Sequence, residues 1–502
     1  MFLRITIMCF ICSAFVLCQV PDNIQRYRDD DKGSFSNRQQ GILVGNRINT
    51  LFYNDGIVGK WDFTPTCEWP VGSGHNNLSE YTFVATAEIT APDNSQIIHP
   101  VETAYSEQYN YDPVTSLPNG FEPIAGYSSA NTVAASNDKL TWPSQWPAAL
   151  GLSLDYNGHW YGYFGKDSFN AAQEIYYVMD DSQDRTFDRS PYGFSPDSTD
   201  FTRRGLGLRV EVRGFQWNDS LREDIIFFIY SVWNISDFDY DKMVLGLFFE
   251  PGVGGANTTM PGNETGIDSA NGLVYSWAPS GIGNPGNWKT GYFGIGVLST
   301  SLGTNTKPGL SMVSAYVNSK GPGSLWPKNN DVMWADMTGG IDTTVRNDYL
   351  HNNVIGSGPF LFKRWTNTEF ASAIIMGNDL NDVLKKKIIA QAIYNNNLII
   401  PDSLVSDVAK ENNLVKGFEL KQNYPNPFNP STTISYSIAK TNIVTIKVYD
   451  VLGKEVATLV NEEKQPGSYD VNFNASKLTS GVYLYRLQAG SFSETKKFIL
   501  LK

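Results

Sequence analysis

The sequence predicts a mainly β protein: a large antiparallel β-sandwich body with one C-terminal amphipathic helix, followed by a small Ig-like β-sandwich. Three observations carry this. Gly (44) and Pro (25) are frequent and aromatic residues reach 13%, 12 of them Trp, which suits many turns between short strands. Apolar residues recur as short β-branched and aromatic runs. The texture then changes at Phe418. The last 85 residues contain no Trp or Cys and carry +3 (10 Lys/Arg against 7 Asp/Glu), whereas 19–417 carries −16 and the whole chain −12. At 502 residues, 41% hydrophobic and 18% charged, the chain is long enough for two or three domains with a sizeable core. The acidic balance argues against nucleic acid as a partner, because phosphate binding needs a basic face.

Residues 1–18 read MFLRITIMCFICSAFVLC. Arg4 supplies a basic start and 5–18 an almost unbroken apolar run of 14 residues. That pattern predicts a signal peptide cleaved near Cys18–Gln19, too short for an ordinary spanning helix. No other stretch is apolar and long enough to span a membrane, so none is expected in the mature chain. Of four cysteines, Cys9, Cys12 and Cys18 fall in this segment. Cys67 is then a single thiol, expected as a buried small hydrophobe.

Residues 19–40 are polar and read as a loose leader before a body at 41–400. Strands are expected at 81–89, 205–214, 225–233, 244–249, 272–277, 292–298 and 371–376. The run at 225–233 (IIFFIYSVW) has no polar alternation and reads as a central strand. Asn378 is placed to cap a helix at 379–395. Leu380, Leu384, Ile388 and Ala392 form its stripe, widened by Val383, Ile389 and Ile393, with Lys385–Lys387 as a solvated edge. A weaker helix is expected at 402–411, within a linker at 401–417 that leads into the tail.

The tail, 418–502, alternates at 433–438 (Ile434, Tyr436, Ile438) and again through Val444, Ile446 and Val448. Further strands are expected at 455–460, 469–473, 482–487 and 492–500, with turns at Asp450–Gly453, Pro466–Gly467 and Ala489–Gly490. Short strands at this spacing suit a sandwich.

Three motifs in this tail are specific in order. They are Tyr424-Pro425-Asn426-Pro427-Phe428-Asn429-Pro430, then 448–456 (VYDVLGKEV) with Gly453, then 478–483 (LTSGVY) with Gly481. Together they closely resemble the type A C-terminal sorting domain of the type IX secretion system. The resemblance implies a Bacteroidota-like cell and export through the periplasm by the type IX machinery. It also implies processing by that system's sortase and release, or attachment to surface lipopolysaccharide. The body, through 141–147 (TWPSQWP), 173–181 (QEIYYVMDD) and 356–360 (GSGPF), resembles an uncharacterised family of such cargo, which implies a shared sandwich but no activity.

Candidate sites are few. Asp180, Ser182, Asp184, Thr186 and Asp188 place oxygens at alternate positions, as a calcium loop does. However, Arg185 and Pro191 stand where an EF-hand needs Gly and Glu. Calcium here competes with a plain acidic turn, as it does at Asp237, Asp239 and Asp241. Trp142, Trp146 and Trp160 lie in a Pro- and Gly-rich stretch and could stack on sugar rings, though core packing uses the same residues. His75, His99, His159 and His351 show no zinc spacing, and no G-x-S-x-G or phosphate-binding loop occurs. Glu174, Asp180 and Asp181 are first candidates for a carboxylate pair. The leading expectation is a secreted or surface β-sandwich protein with a structural or binding role, polysaccharide being the ligand class. The alternative is a polysaccharide hydrolase using paired carboxylates.

Overall fold

The computed structural model describes residues 19–60, 63–90, 96–104, 120–129, 131–184, 194–255, 263–300, 312–317, 330–341, 351–404, 417–465 and 467–501. The apolar N-terminal run, Asp188 and most of 402–417 lie outside them. The chain divides into two compact units, Met1–Gln391 and Ala392–Lys502.

The first unit is a sandwich of two antiparallel sheets. The larger has the order Glu264–Asp268, Leu273–Trp277, Tyr292–Thr300, Asn367–Gly377, Ile225–Asn234, Leu208–Gln216, Gln173–Asp180 and Glu122–Pro123, with Ala134–Ala135 also on Gln173–Asp180. The smaller runs Met312–Val317, His351–Phe362, Tyr240–Pro251, Leu78–Thr90 and Ile97–Ile98, with Val101–Thr103 also on Leu78–Thr90. Aromatic rings meet between them: Phe83 stacks on Tyr230 at 4.7 Å and Tyr81 lies 5.5 Å from Phe228. The Tyr81 hydroxyl sits 2.6 Å from Ser372 Oγ. Cys67 is buried, and burial pushes its thiol up to about 12.

Ile225–Asn234 does occupy the centre of its sheet, between Leu208–Gln216 and Asn367–Gly377, so its unbroken apolar run is one with both faces covered. The strand expected at 205–214 starts later, at Leu208. Gly205 and Gly207 take φ of +66° and +68°, a turn geometry that ends pairing on that side. Gln173–Asp180, with every residue buried, was not foreseen as a strand. Tyr176 and Val178 pack under the Trp146 cluster while Ile175, Tyr177 and Met179 face the other sheet, which erases alternation.

The expected loose leader is instead ordered. Helix α1 (Asp22–Asp29) buries Ile24 and Arg28, and the chain continues into a strand at Gln40–Leu43. Helix α2 (Asn330–Thr338), also not foreseen, lays Met333 and Met337 against Val84, Val244, Phe248 and Val354 of the smaller sheet.

Helix α3 (Leu380–Asn395) forms where periodicity places it, but it is capped and turned differently. Asp379, not Asn378, is the cap: its Oδ1 accepts from Asp382 N at 2.9 Å, and Asp382 Oδ2 accepts from Asn378 N at 2.9 Å. Ile388 is 56% exposed, while Lys387 is buried. Glycines cause this rotation. A Cβ on Gly294 would stand 2.8 Å from Val383, and one on Gly296 2.6 Å from the Lys387 stem. The glycines therefore let Val383 and the Lys387 methylenes lie flat on the sheet. Lys386, the second member of the expected solvated edge, pairs with Asp224 at 2.9 Å.

Burial pulls the Lys387 ammonium down to about 8, with Asp268 opposing. Because this folded value lies below the unfolded one near 10.4, native stability should rise as pH climbs between the two. Replacing it, as in Lys387→Met, should raise stability at neutral pH by on the order of 3 kcal/mol. The gap to wild type should close by about pH 10. Thermal unfolding at pH 7 and pH 10 measures this; a gap unchanged across that range would refute it.

The second unit pairs a three-stranded sheet (Glu419–Leu420, Ser431–Ile438, Gly467–Asn474) with a four-stranded one (Glu455–Lys464, Asn442–Tyr449, Gly481–Ala489, Phe492–Leu500). The alternating residues form its core: Ile434, Tyr436 and Ile438 from one sheet, Val444, Ile446, Val448, Tyr485 and Leu487 from the other.

Candidate functional site

The acidic loop is built from protein partners. Asp180, at the end of its strand, accepts from Gly33 N at 2.9 Å and Ser182 Oγ at 2.7 Å through Oδ1, and pairs through Oδ2 with Arg203 Nη1 at 3.0 Å. Asp181 accepts from the backbone N–H groups of Leu206 (2.8 Å) and Leu208 (2.9 Å). Asp184 is buried beside Glu102, and Asp188 is outside the described residues. The alternating oxygens therefore do not converge: Ser182 is spent on Asp180. Among the described residues no three His, Cys, Asp or Glu are arranged to hold a metal ion. Of the second acidic run, Asp237 pairs with Arg28 at 2.8 Å and Asp239 accepts from Arg364 N at 2.8 Å.

Glu174 is also committed. Its carboxylate accepts from Tyr163 N at 2.9 Å, from Trp160 Nε1 at 3.2 Å and from Arg213. Arg213 in turn lies over the Tyr176 ring at 4.3 Å. A carboxylate locked among three donors is a poor acid or base.

The tryptophans resolve as packing. Trp160 is fully buried and Trp146 is 8% exposed. Trp146 meets Trp160 edge-on at 5.9 Å and Tyr176 at 5.9 Å, and donates through Nε1 to His159 O at 2.9 Å. Trp142 is half-buried, donates to Ala135 O at 2.8 Å and stacks on Phe169 at 6.0 Å. Neither Trp146 nor Trp160 offers a free face to a sugar; with Tyr127, Tyr176 and Val178 they form a second small core.

What the sequence did not show is a polar cleft of ≈ 440 Å³. One wall is the consecutive run Ser36 to Gln40, another is Ile124 to Ser128 with Asn131 and Val133, and Asn54 and Tyr177 complete it. The walls are joined by side chains. Asn54 accepts from Gln39 N at 2.7 Å and donates to Asn37 O at 3.0 Å, while Ser128 donates to the Gln39 side chain. Arg38 is the one charged lining residue. It pairs with Asp55 at 2.6 Å and lies over the Tyr53 ring at 4.0 Å. Burial pushes the Asp55 carboxyl up, and Arg38 pulls it back. Tyr177 is 2% exposed and its hydroxyl has no hydrogen-bond partner. Burial, then the nearby Asp55 carboxylate, raises that phenol above its ordinary range. No spacing rule finds such a cleft, because its two main walls are more than eighty residues apart in sequence.

In the second unit, Phe428 of the motif is buried against Phe498 at 5.2 Å, and its backbone N–H bonds Ile499 O at 3.0 Å. Asn426 Oδ1 accepts from Ile499 N at 2.9 Å. Tyr424 is 82% exposed, and Pro425, Pro427, Asn429 and Pro430 share the rim around Phe428. Gly453 closes the Asp450 turn at φ +83°, with Asp450 Oδ1 accepting from Leu452 N and Lys454 N at 2.9 Å each. Gly481 opens the Gly481–Ala489 strand.

Residues 422–501 match the family described as the secretion system C-terminal sorting domain. None of the curated proteins compared matches the chain. Among solved structures, a polysaccharide lyase is similar at 10% identity and TM-score 0.20, covering 60% of this chain and 35% of its own. A heparan sulfate lyase mutant from Pedobacter heparinus is similar at 9% and 0.25, covering 86% and 43%. A latent PorU from Porphyromonas gingivalis is similar at 8% and 0.15, covering 65% and 31%. The chain spans less than half the length of each of these three. The sorting domain marks the chain as type IX secretion cargo, exported to the cell surface or extracellular space. Among the described residues no helix is long and apolar enough to cross a membrane.

Proposed function

We propose that the exported body is a carbohydrate-binding surface protein, and that the polar cleft takes a neutral oligosaccharide. The observation that carries this reading is the lining: five amides and four hydroxyls around a single guanidinium already paired with Asp55. Amide and hydroxyl groups recognise sugar hydroxyls, and a cleft of this volume falls within the range of small-ligand sites, about 300–1,000 Å³. A net-neutral wall favours a neutral sugar over a uronic or sulfated one. Buried polar groups are usually hydrogen-bonded, so the unpartnered Tyr177 hydroxyl is where a ligand hydroxyl would complete the set.

Hydrolysis by paired carboxylates has less support, because glycosidic cleavage needs two carboxyls astride the bond and no carboxylate lines this cleft. Attachment to lipopolysaccharide, processing by the sortase and a Bacteroidota source are proposals drawn from the sorting domain's kind, and a leading signal peptide is one drawn from the basic start and apolar run of residues 1–18.

A glycan array followed by isothermal titration tests the reading. Neutral oligosaccharides should bind and uronic ones should not. Tyr177→Phe should weaken binding about tenfold, the loss of roughly one hydrogen bond, 1.4 kcal/mol. It should leave the unfolding temperature unchanged or higher, since an unsatisfied buried hydroxyl is removed. Wild-type affinity in this variant, or preference for acidic glycans, would sink the assignment.

A further inference from the structure

Residues 22–40 do two things at once. Their first part is clamped to the body, and their last part is a wall of the cleft. The clamp is polar. Arg28 donates to Ile235 O at 2.8 Å and pairs with Asp237 at 2.8 Å and Asp197 at 3.4 Å. Asp30 accepts from Arg209 at 2.8 Å and from the Tyr127 hydroxyl at 2.6 Å. Lys32 pairs with Asp200 at 2.5 Å. Gly33 N donates to Asp180, and Ser34 N donates to Pro123 O at 3.0 Å. Gly33 passes so close that a Cβ there would stand 2.4 Å from Glu122 O. Three residues later the cleft wall begins.

Apolar burial contributes little to this segment. Between Pro21 and Gln40 only Ile24, Arg28 and Gly33 are buried. The sheet beneath buries far more apolar surface, with Leu208, Val210 and Val212 and the apolar residues of Ile225–Asn234 that face the core fully covered. Segments with few buried apolar contacts open at lower free energy than the core beneath them. The clamp also reaches the cleft directly, because Tyr127 is both a partner of Asp30 and a lining residue.

From this we infer that residues 22–40 form a strap that opens and closes the cleft as a unit. Docked through Arg28 and Asp30, it supplies the wall bearing Arg38 and Gln39; release also parts Arg38 from Asp55 and Gln39 from Asn54 and Ser128, exposes the opposite wall and admits ligand. The inference rests on the cleft being the binding site, but the movement itself needs no ligand to be seen.

Hydrogen–deuterium exchange read by mass spectrometry on the full chain, without ligand, is the test. In wild type, amides of 34–40 should exchange at least tenfold faster than those of Leu208–Gln216 and Ile225–Asn234. Asp30→Ala should speed exchange in 34–40 and in 124–128 together, with Ile225–Asn234, which holds none of its partners, unchanged. Strap amides as slow as the sheet strands in wild type would overturn the strap. So would Asp30→Ala leaving 124–128 unaffected, or releasing Ile225–Asn234 along with the strap. If the Asp30→Ala pattern is ambiguous through poor folding, the wild-type rates alone decide. A mobile strap with no glycan binding fails the carbohydrate reading, and glycan binding with an immobile strap fails only this one.

Discussion

Arg203→Ala should destabilise the body by about 3–5 kcal/mol, the usual cost of leaving a buried charge without its partner. Asp180 and Arg203 are each 2% exposed at the side chain and meet at 3.0 Å. Arg203 Nη2 also donates to Arg28 O at 3.2 Å, so the same guanidinium ties the strap to the loop. Removing it strands the Asp180 carboxylate, though that carboxylate keeps its bonds from Gly33 N and Ser182. Those neutral donors soften the loss without replacing a charge-assisted bond. Asp180→Ala should cost a similar amount by stranding Arg203. The double variant with apolar residues of similar volume, Asp180→Leu with Arg203→Met, should cost less than either single change, because both desolvated charges vanish together. Urea unfolding of wild type, Asp180→Leu, Arg203→Met and the double variant gives the coupling directly. Additive costs would mean that the pair acts as two independent groups and that the loop is held by its backbone bonds instead.

The legibility of this chain follows from how far each feature depends on neighbours in sequence. The tail was readable in detail because Ile434, Tyr436 and Ile438 lie on a sheet with one face wet, so alternation survives. Helix α3 was readable in extent, since periodicity is local, but not in rotation. Which face turns inward depended on Gly294 and Gly296 some ninety residues away, whose missing side chains admit Lys387. The strap was missed for a related reason. Its sequence, DNIQRYRD, looks solvated, and only the distant Asp197, Asp237 and Arg209 make burial of its charges tolerable. The acidic run reads either as a metal loop or as an acidic turn, because spacing shows where oxygens occur but not which donors satisfy them. Here Arg203 and the 206–208 backbone do so. The tryptophans, conspicuous in sequence, were spent on packing, while the cleft is lined by amides too ordinary to stand out.

Glu102→Gln should stabilise the body at neutral pH and flatten its pH profile. Glu102 sits opposite Ala85, a residue of the inter-sheet core, and is fully buried. Its carboxyl faces the Asp184 carboxyl and the Leu206 N–H, with no basic side chain among its partners. Burial first, then the Asp184 and Asp181 carboxylates, hold its proton on well above the ordinary glutamate range. Asp181 is raised as well, by burial and by Asp180, against the pull of the Leu206 and Leu208 N–H groups. These acids titrate as a set, so the observable is the proton count of the cluster. The native state holds a proton that the unfolded chain releases near pH 4.3. Stability contributed by Glu102 is therefore present in full below that value. It is lost at up to about 1.4 kcal/mol per pH unit until the raised native value is passed, and is level above it. Glutamine keeps the shape and a donor and carries no charge at any pH, so it escapes this loss. Thermal or urea unfolding of both proteins from pH 4 to pH 8 isolates the cluster, since titrating groups outside it cancel in the difference. The variant should match wild type near pH 4 and pull ahead as pH rises. A difference that stays flat, or that favours wild type at pH 8, would mean that Glu102 is ionised and compensated in the native state. A charge partner would then have to stand within reach of its carboxylate.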